Sequence, residues 1–90
     1  MGTALLKIKL MPESPEANLE EIQKQAEEII LKNQGKNPNF EKEPIAFGLV
    51  ALLASFAMDE SIQTGIFEES LKNLPNVASA EIIDFRRAFG

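Results

Sequence analysis

Leu6, Ile8 and Leu10 alternate with Lys7 and Lys9, and an apolar period of two predicts a half-buried strand. Pro12, Ser14 and Pro15 end that strand and open a turn. Asn18 stands three residues before Glu21, the spacing of a capping box at a helix start. Behind it Leu19, Ile22, Ala26, Ile29 and Ile30 share one helical face, while Glu20, Gln23, Lys24, Glu27 and Glu28 take the other. Glu20 and Lys24 have the i, i+4 spacing of a favourable pair. The helix is expected to end at Asn33-Gln34-Gly35, with the glycine accepting the left-handed conformation.

From Lys36 to Glu43 the chain is polar, and a second strand is expected with Phe40 as its large apolar residue. After Pro44 comes an almost unbroken apolar run, Ile45 to Met58. Its Ala and Leu content favours helix, whereas Ile45, Val50 and the early Gly48 fit a strand, so periodicity leaves both open. Asp59-Glu60-Ser61 marks a surface break. Thr64 is the expected cap of a second helix, with Phe67, Ser70, Leu71 and Leu74 on its inner face and Glu68-Glu69 in its first turn. Pro75-Asn76 stops it. Val77 to Phe85 is the last strand, followed by Arg86-Arg87 and a short tail. If the central run is a strand, the order is βαββαβ. That is an α+β, ferredoxin-like sandwich: two helices on one face of a four-stranded antiparallel sheet, with right-handed crossovers.

Ninety residues fit one small domain, expected to span 1–90. The chain has no Cys and no His, which removes thiolate nucleophiles, disulfides and the commonest general base and transition-metal ligands. Nine basic against fourteen acidic side chains give a net charge of −5, which argues against direct nucleic-acid binding and for a neutral or basic partner. Lys7 and Lys9 interrupt the start too early for a secretion signal, and Leu6 occupies the Ser/Thr position of a myristoylation motif. The run from Ile45 to Met58 is shorter than the ~20 residues that span a bilayer. A cytoplasmic protein without membrane contact is the expectation.

No Gly-rich phosphate loop is present, and Glu20-Glu21, Glu27-Glu28 and Glu68-Glu69 read as solvated helix surface rather than a metal or hydrolytic site. No cofactor is called for, and no catalytic residue is assigned. Phe56 sits in an Ala/Leu setting that suits core packing better than stacking on RNA. An acylphosphatase-like activity would want Arg near the first strand, and both Arg lie at the far end. Two features remain. Pro44-Ile45-Ala46-Phe47-Gly48 is an apolar turn in which Pro and Gly restrict and release the backbone, so that Phe47 either anchors a partner or folds into the core. Arg86 and Arg87 are paired cations suited to carboxylate or phosphate, or simply solvated.

Taken together, Met11-Pro12-Glu13-Ser14-Pro15, Asn18-Leu19-Glu20, Glu43-Pro44-Ile45-Ala46-Phe47-Gly48-Leu49 with Ala51-Leu52, Glu68-Glu69-Ser70-Leu71 and the Val77-to-Arg87 ending resemble one family along the whole chain. It is archaeal elongation factor 1-beta, itself similar to the exchange domain of the eukaryotic beta subunit. The resemblance implies a ferredoxin-like fold, with the central run as a strand. It implies guanine-nucleotide exchange on elongation factor 1-alpha, the GTPase that brings aminoacyl-tRNA to the ribosome, by binding and without bond-breaking chemistry. In the related eukaryotic domain an aromatic in the Pro-Ile-Gly-Phe/Tyr-Gly turn enters a pocket on the GTPase; Phe47 matches that position, and the resemblance implies a contact through Pro44, Ile45, Phe47 and Gly48. In that eukaryotic domain a Lys near the C-terminus, followed by one final residue, reaches toward the magnesium site, and Arg87, with Arg86 beside it, falls nearest to that position. The chain departs from the pattern in having Arg for Lys there, with three further residues. It departs again at Ile62-Gln63-Thr64-Gly65, where many relatives have Gly-Gly-Thr-Asp. The competing readings are a small-molecule-binding regulatory domain of the same fold and, third, a carboxylate hydrolase.

Overall fold

The computed structural model describes residues 2–88. Its elements follow the order β1 (Thr3–Pro12), α1 (Leu19–Lys32), β2 (Lys36–Pro44), β3 (Val50–Asp59), α2 (Thr64–Lys72) and β4 (Val77–Ala88). The strands form one antiparallel sheet in the order β2-β3-β1-β4. This is the ferredoxin-like arrangement. The central run, undecided by composition, divides: Ile45 to Leu49 form a connection and Val50 onward is strand. An apolar strand suits this place because β3 is flanked on both sides by partners and buried for most of its length.

Alternation along the two central strands builds the core. Ala4, Leu6, Ile8 and Leu10 of β1 and Leu52, Ala54, Phe56 and Met58 of β3 face the helices and are buried. Ile22, Ala26 and Ile30 of α1 and Phe67 and Leu71 of α2 cover them. Phe56 and Phe67 meet at 4.7 Å between ring centroids in a tilted arrangement, so Phe56 belongs to the core. Among the described residues no helix covers the opposite face. There Lys9 and Glu43, from the strands on either side of β3, join at 3.4 Å, and the β3 residues paired with them, Leu53 and Ala51, are buried.

Helix ends depart from the sequence reading in instructive ways. Asn18 caps α1 as expected, its side chain accepting from the Glu21 N–H at 3.1 Å. At the other end the left-handed residue is Gln34 (φ 72°), not Gly35. The Gln34 N–H donates to the Leu31 carbonyl and the Gly35 N–H to the Ile30 carbonyl, the bond pair of a Schellman motif. Gly35 is needed for proximity instead: a Cβ there would lie 2.4 Å from Ile30 Cγ2 and 2.9 Å from the Ile30 carbonyl oxygen. Helix α2 is capped by Gln63 rather than Thr64, without a side-chain bond, and its first turn holds no acidic residue. Just before it, Ser61 donates its backbone N–H and its hydroxyl to Asp59 Oδ1, and these bonds hold the Asp59 carboxyl below its ordinary value of 3.8. Glu20 and Lys24 form no ion pair among the described residues. Strand β4 extends beyond Phe85, so Arg86 and Arg87 belong to the sheet rather than to a tail.

Because a non-glycine residue in the left-handed region is strained, Gln34→Gly is expected to stabilise the fold by about 0.5–1 kcal/mol, raising Tm by about 2–6 °C. Gly35→Ala is expected to cost about 1–3 kcal/mol by overpacking against Ile30. Thermal unfolding followed by circular dichroism checks both, and the opposite ordering would reverse the assignment of the two positions.

Candidate partner-binding site

The connection between β2 and β3 is set by its backbone. Pro44 lies opposite Val50 at the end of the edge strand β2, where its missing N–H deprives no interior ladder of a donor. The Ile45 N–H donates to the Leu49 carbonyl at 2.8 Å, and the Leu49 N–H to the Ala46 carbonyl at 3.0 Å. Between them Phe47 (φ 57°) and Gly48 (φ 79°) are both left-handed, the sign pattern of a type I′ turn. Such turns favour Asn-Gly. Phenylalanine in the first position carries a backbone cost of about 1–2 kcal/mol. Its side chain recovers nothing from the core, because Phe47 is 97% exposed. Ile45 beside it is 40% exposed. Of the two alternatives left open at the sequence level, Phe47 therefore stands outward at a tip and does not fold back.

Arg86 and Arg87 occupy the other end of the sheet. Arg87 pairs with Ala4 and Arg86 with Leu5. Ala4 belongs to the buried core and Leu5 to the uncovered face, so the two guanidinium groups point to opposite sides. Arg86 Nε lies 3.0 Å from Asp84 Oδ2 on the open face, and Arg87 Nε lies 3.8 Å from Glu60 Oε2 on the helix side. Both arginines are mostly exposed, so these pairs hold them weakly. The arginines are thus separate contacts rather than one doubly charged group.

The structure does not bring the arginines to the aromatic turn. Val50 begins β3 beside Pro44, while Met58 is the β3 residue level with Ala4 and Arg87. Eight strand steps separate them, about 26 Å at 3.3 Å per residue. The molecule itself is 42 Å long and 18–21 Å across. Pro44, Ile45, Phe47 and Gly48 form one end of a bar; Arg86 and Arg87 lie toward the other.

One feature went unseen in the sequence. The open sheet face carries a shallow trough of about 410 Å³ whose walls include Lys7, Asn39, Asp84 and Arg86 and whose floor includes Ser55 and Ala57. Its signal was the size alternation in β3, where Phe56 and Met58 face the helices and Ser55 and Ala57 face away. Of the three glutamate pairs, Glu20-Glu21 and Glu27-Glu28 are exposed, and Glu68 is half-buried beside exposed Glu69. Among the described residues none gathers into a cluster of three or more metal-ligating side chains. No described helix is long and apolar enough to cross a membrane.

Comparison with known proteins adds to this geometry. The family model described as EF-1 guanine nucleotide exchange domain matches residues 5–88. The chain belongs to the EF-1 guanine nucleotide exchange domain family. It is 41% identical over 88 residues to elongation factor 1-beta of Methanobrevibacter smithii, covering 97% of this chain and 98% of that protein. It is 40% identical to elongation factor 1-beta of Methanothermobacter thermautotrophicus with the same coverage, and 40% identical to that of Haloarcula marismortui over 91% and 93% of the two chains. The exchange-domain match takes in the Phe47 turn, Arg86 and Arg87.

The Phe47 tip lends itself to a test that separates fold from contact. Phe47→Asn relieves the backbone and is expected to raise Tm by about 2–6 °C, corresponding to about 0.5–1 kcal/mol. Phe47→Ala is expected to leave Tm within about 2 °C, since the ring packs against nothing. A fall of more than about 5 °C on Phe47→Ala, measured by calorimetry, would show that the ring supports the fold instead.

Proposed function

We propose that this chain acts as a guanine-nucleotide exchange factor for elongation factor 1-alpha, its ninety residues working as one cytoplasmic exchange domain that contacts the GTPase from both ends. The observation that carries the reading is Phe47, an almost fully exposed aromatic on a left-handed backbone, within a chain of the exchange-domain family. Two stability costs at one tip, without return from the core, are what a binding anchor requires. In this reading Pro44, Ile45 and Gly48 set the angle at which Phe47 enters an apolar pocket of the GTPase. Arg87, with Arg86 on the other face, acts about 26 Å away against the magnesium, phosphate or switch carboxylates.

No covalent step is needed. GDP is held on such GTPases through its phosphates and magnesium. A protein that binds the nucleotide-free GTPase more tightly than the GDP form weakens GDP by the same factor, because coupling between two ligands is reciprocal. Arg87 leaves only an exposed contact with Glu60 when it engages, so little is lost on the chain's own side.

Release of fluorescent GDP from elongation factor 1-alpha, followed with and without the chain, tests the proposal. Wild type is expected to accelerate release at micromolar concentration. Phe47→Ala is expected to lose about 2 kcal/mol or more of binding, which is roughly a thirtyfold or greater rise in the concentration for half-maximal exchange. Arg87→Ala is expected to lower the maximal rate with a smaller change in that concentration. Unaltered GDP release in the presence of wild type would overturn the function, and a Phe47→Ala protein equal to wild type would overturn the anchor.

A further inference from the structure

The Phe47 turn does not stand alone at its end of the sheet. Pro12 lies opposite Val77, and Leu10 opposite Leu52 two residues beyond Val50, which puts the β1–α1 loop beside the β2–β3 turn. A Cβ on Gly48 would sit 3.8 Å from Pro15 Cβ, so that loop rests against the tip. It is held there by the Glu13 N–H donating to the Asn76 carbonyl at 2.9 Å and the Ala17 N–H donating to the Ser14 carbonyl at 3.2 Å. Pro12 and Pro15 restrict it further. Glu13 and Glu16 flank the Ser14-Pro15 pair of this loop, at the end of the sheet that carries Phe47, and both are exposed.

Three other carboxylates at this end have work in the fold. Glu43 is joined to Lys9, while Glu20 and Glu21 occupy the first turn of α1, where negative charge is favoured. Glu13 and Glu16 have none: among the described residues their side chains enter no ion pair or hydrogen bond. The cations at this end are Lys9, Lys42 and Lys72, outnumbered by Glu13, Glu16, Glu20, Glu21, Glu41, Glu43 and Glu81. Toward the other end Lys7, Lys32, Lys36, Arg86 and Arg87 outnumber Asp59, Glu60 and Asp84. Crowding like charges around an exposed aromatic opposes folding slightly and is compensated only by an opposite field on a partner.

We propose that Glu13 and Glu16 are specificity-determining residues, forming a negative rim around Phe47 that selects an apolar pocket bordered by Lys and Arg on the partner. The inference rests on the exchange-factor reading and names the chemistry of the surface that the aromatic turn recognises. The rim speeds productive encounter and rejects apolar pockets bordered by carboxylates. It acts on recognition and leaves the release step to the opposite end.

The test compares two charge reversals of equal size in the full chain, using fluorescent-GDP release from elongation factor 1-alpha. Glu13→Lys/Glu16→Lys inverts the rim; Glu27→Lys/Glu28→Lys makes the same change on the exposed middle of α1. At low ionic strength the rim variant is expected to need about tenfold more protein for half-maximal exchange, with the maximal rate unchanged. The gap is expected to narrow toward 1 M salt, where screening acts within about 3 Å. The α1 variant is expected to stay within about twofold of wild type. Glu13→Gln/Glu16→Gln, which keeps side-chain size, is expected to shift the same way by a smaller amount, and it reads the rim even if the lysine variant folds poorly. Equal behaviour of rim and α1 variants, or a rim effect on the maximal rate alone, overturns the proposal while leaving the exchange reading intact. A wild-type chain that does not accelerate release overturns the exchange reading itself, before any variant is compared.

Discussion

The antiparallel pairing of β1 with β3, which sets Leu6 opposite Phe56 and Leu10 opposite Leu52, is the constraint from which the remaining structure follows. A pleat has a period of two, so this register decides which side chains meet the helices and which remain uncovered. A slip of one residue would turn Lys7 and Lys9 into the core and expose Leu6, Ile8 and Leu10. Strand β4 joins β1 across a register shift between Lys7 and Ile8, beyond which Arg87 stands beside Ala4 and Arg86 beside Leu5. The separation of the two arginines to opposite faces follows from the pleat of β4, and its shifted pairing with β1 decides which of them takes the helix side.

Strand length converts that register into reach. Strands β1, β3 and β4 each run ten residues or more, and the molecule is 42 Å long. A small domain that needed only to be stable would gain by shortening its strands and burying Ile45 and Phe47. Here the hairpin projects its aromatic into solvent and accepts a strained backbone to do so. The strain and the exposure coincide at one residue, and that coincidence distinguishes the tip from the scattered half-exposed apolar residues elsewhere, such as Leu5 and Ile83.

Much of the fold was legible because local signals agreed with the global arrangement. The Lys7/Lys9 alternation, the Asn18 cap and the apolar stripe of α1 each named an element that the structure contains. The run from Ile45 to Met58 was not legible from composition, because a strand paired on both sides and a buried helix use the same residues; its family resemblance resolved it. The ends of elements failed for a different reason. Gly35 and Thr64 carry local preferences for a left-handed position and a cap, but Ile30 requires the glycine for space and the chain enters α2 one residue earlier. Within the proposed site, the turn at Pro44-Gly48 was visible, whereas the outward direction of Phe47 depended on a backbone sign that the sequence does not display. The opposite directions of Arg86 and Arg87 required knowing that β4 continues through them.

A rigid bar with an aromatic tip at one end and exposed arginines toward the other also bears on how exchange could be achieved without chemistry. If Phe47 fixes one end on the GTPase, the sheet leaves the arginines little freedom to choose where they act, because the ladder between Val50 and Met58 is paired along its length. Binding energy gathered at the tip is then available to position charge about 26 Å away. Arg86 and Arg87 are held only by exposed ion pairs to Asp84 and Glu60, so exchanging those for contacts on the partner costs little. On the proposed reading the division of labour is physical: an apolar contact would supply affinity with little sensitivity to which nucleotide is bound, and charge near the nucleotide would supply the difference between states. Only that difference can weaken GDP. On this reading the missing histidine and cysteine carry no penalty, because what the chain must supply is distance, direction and charge.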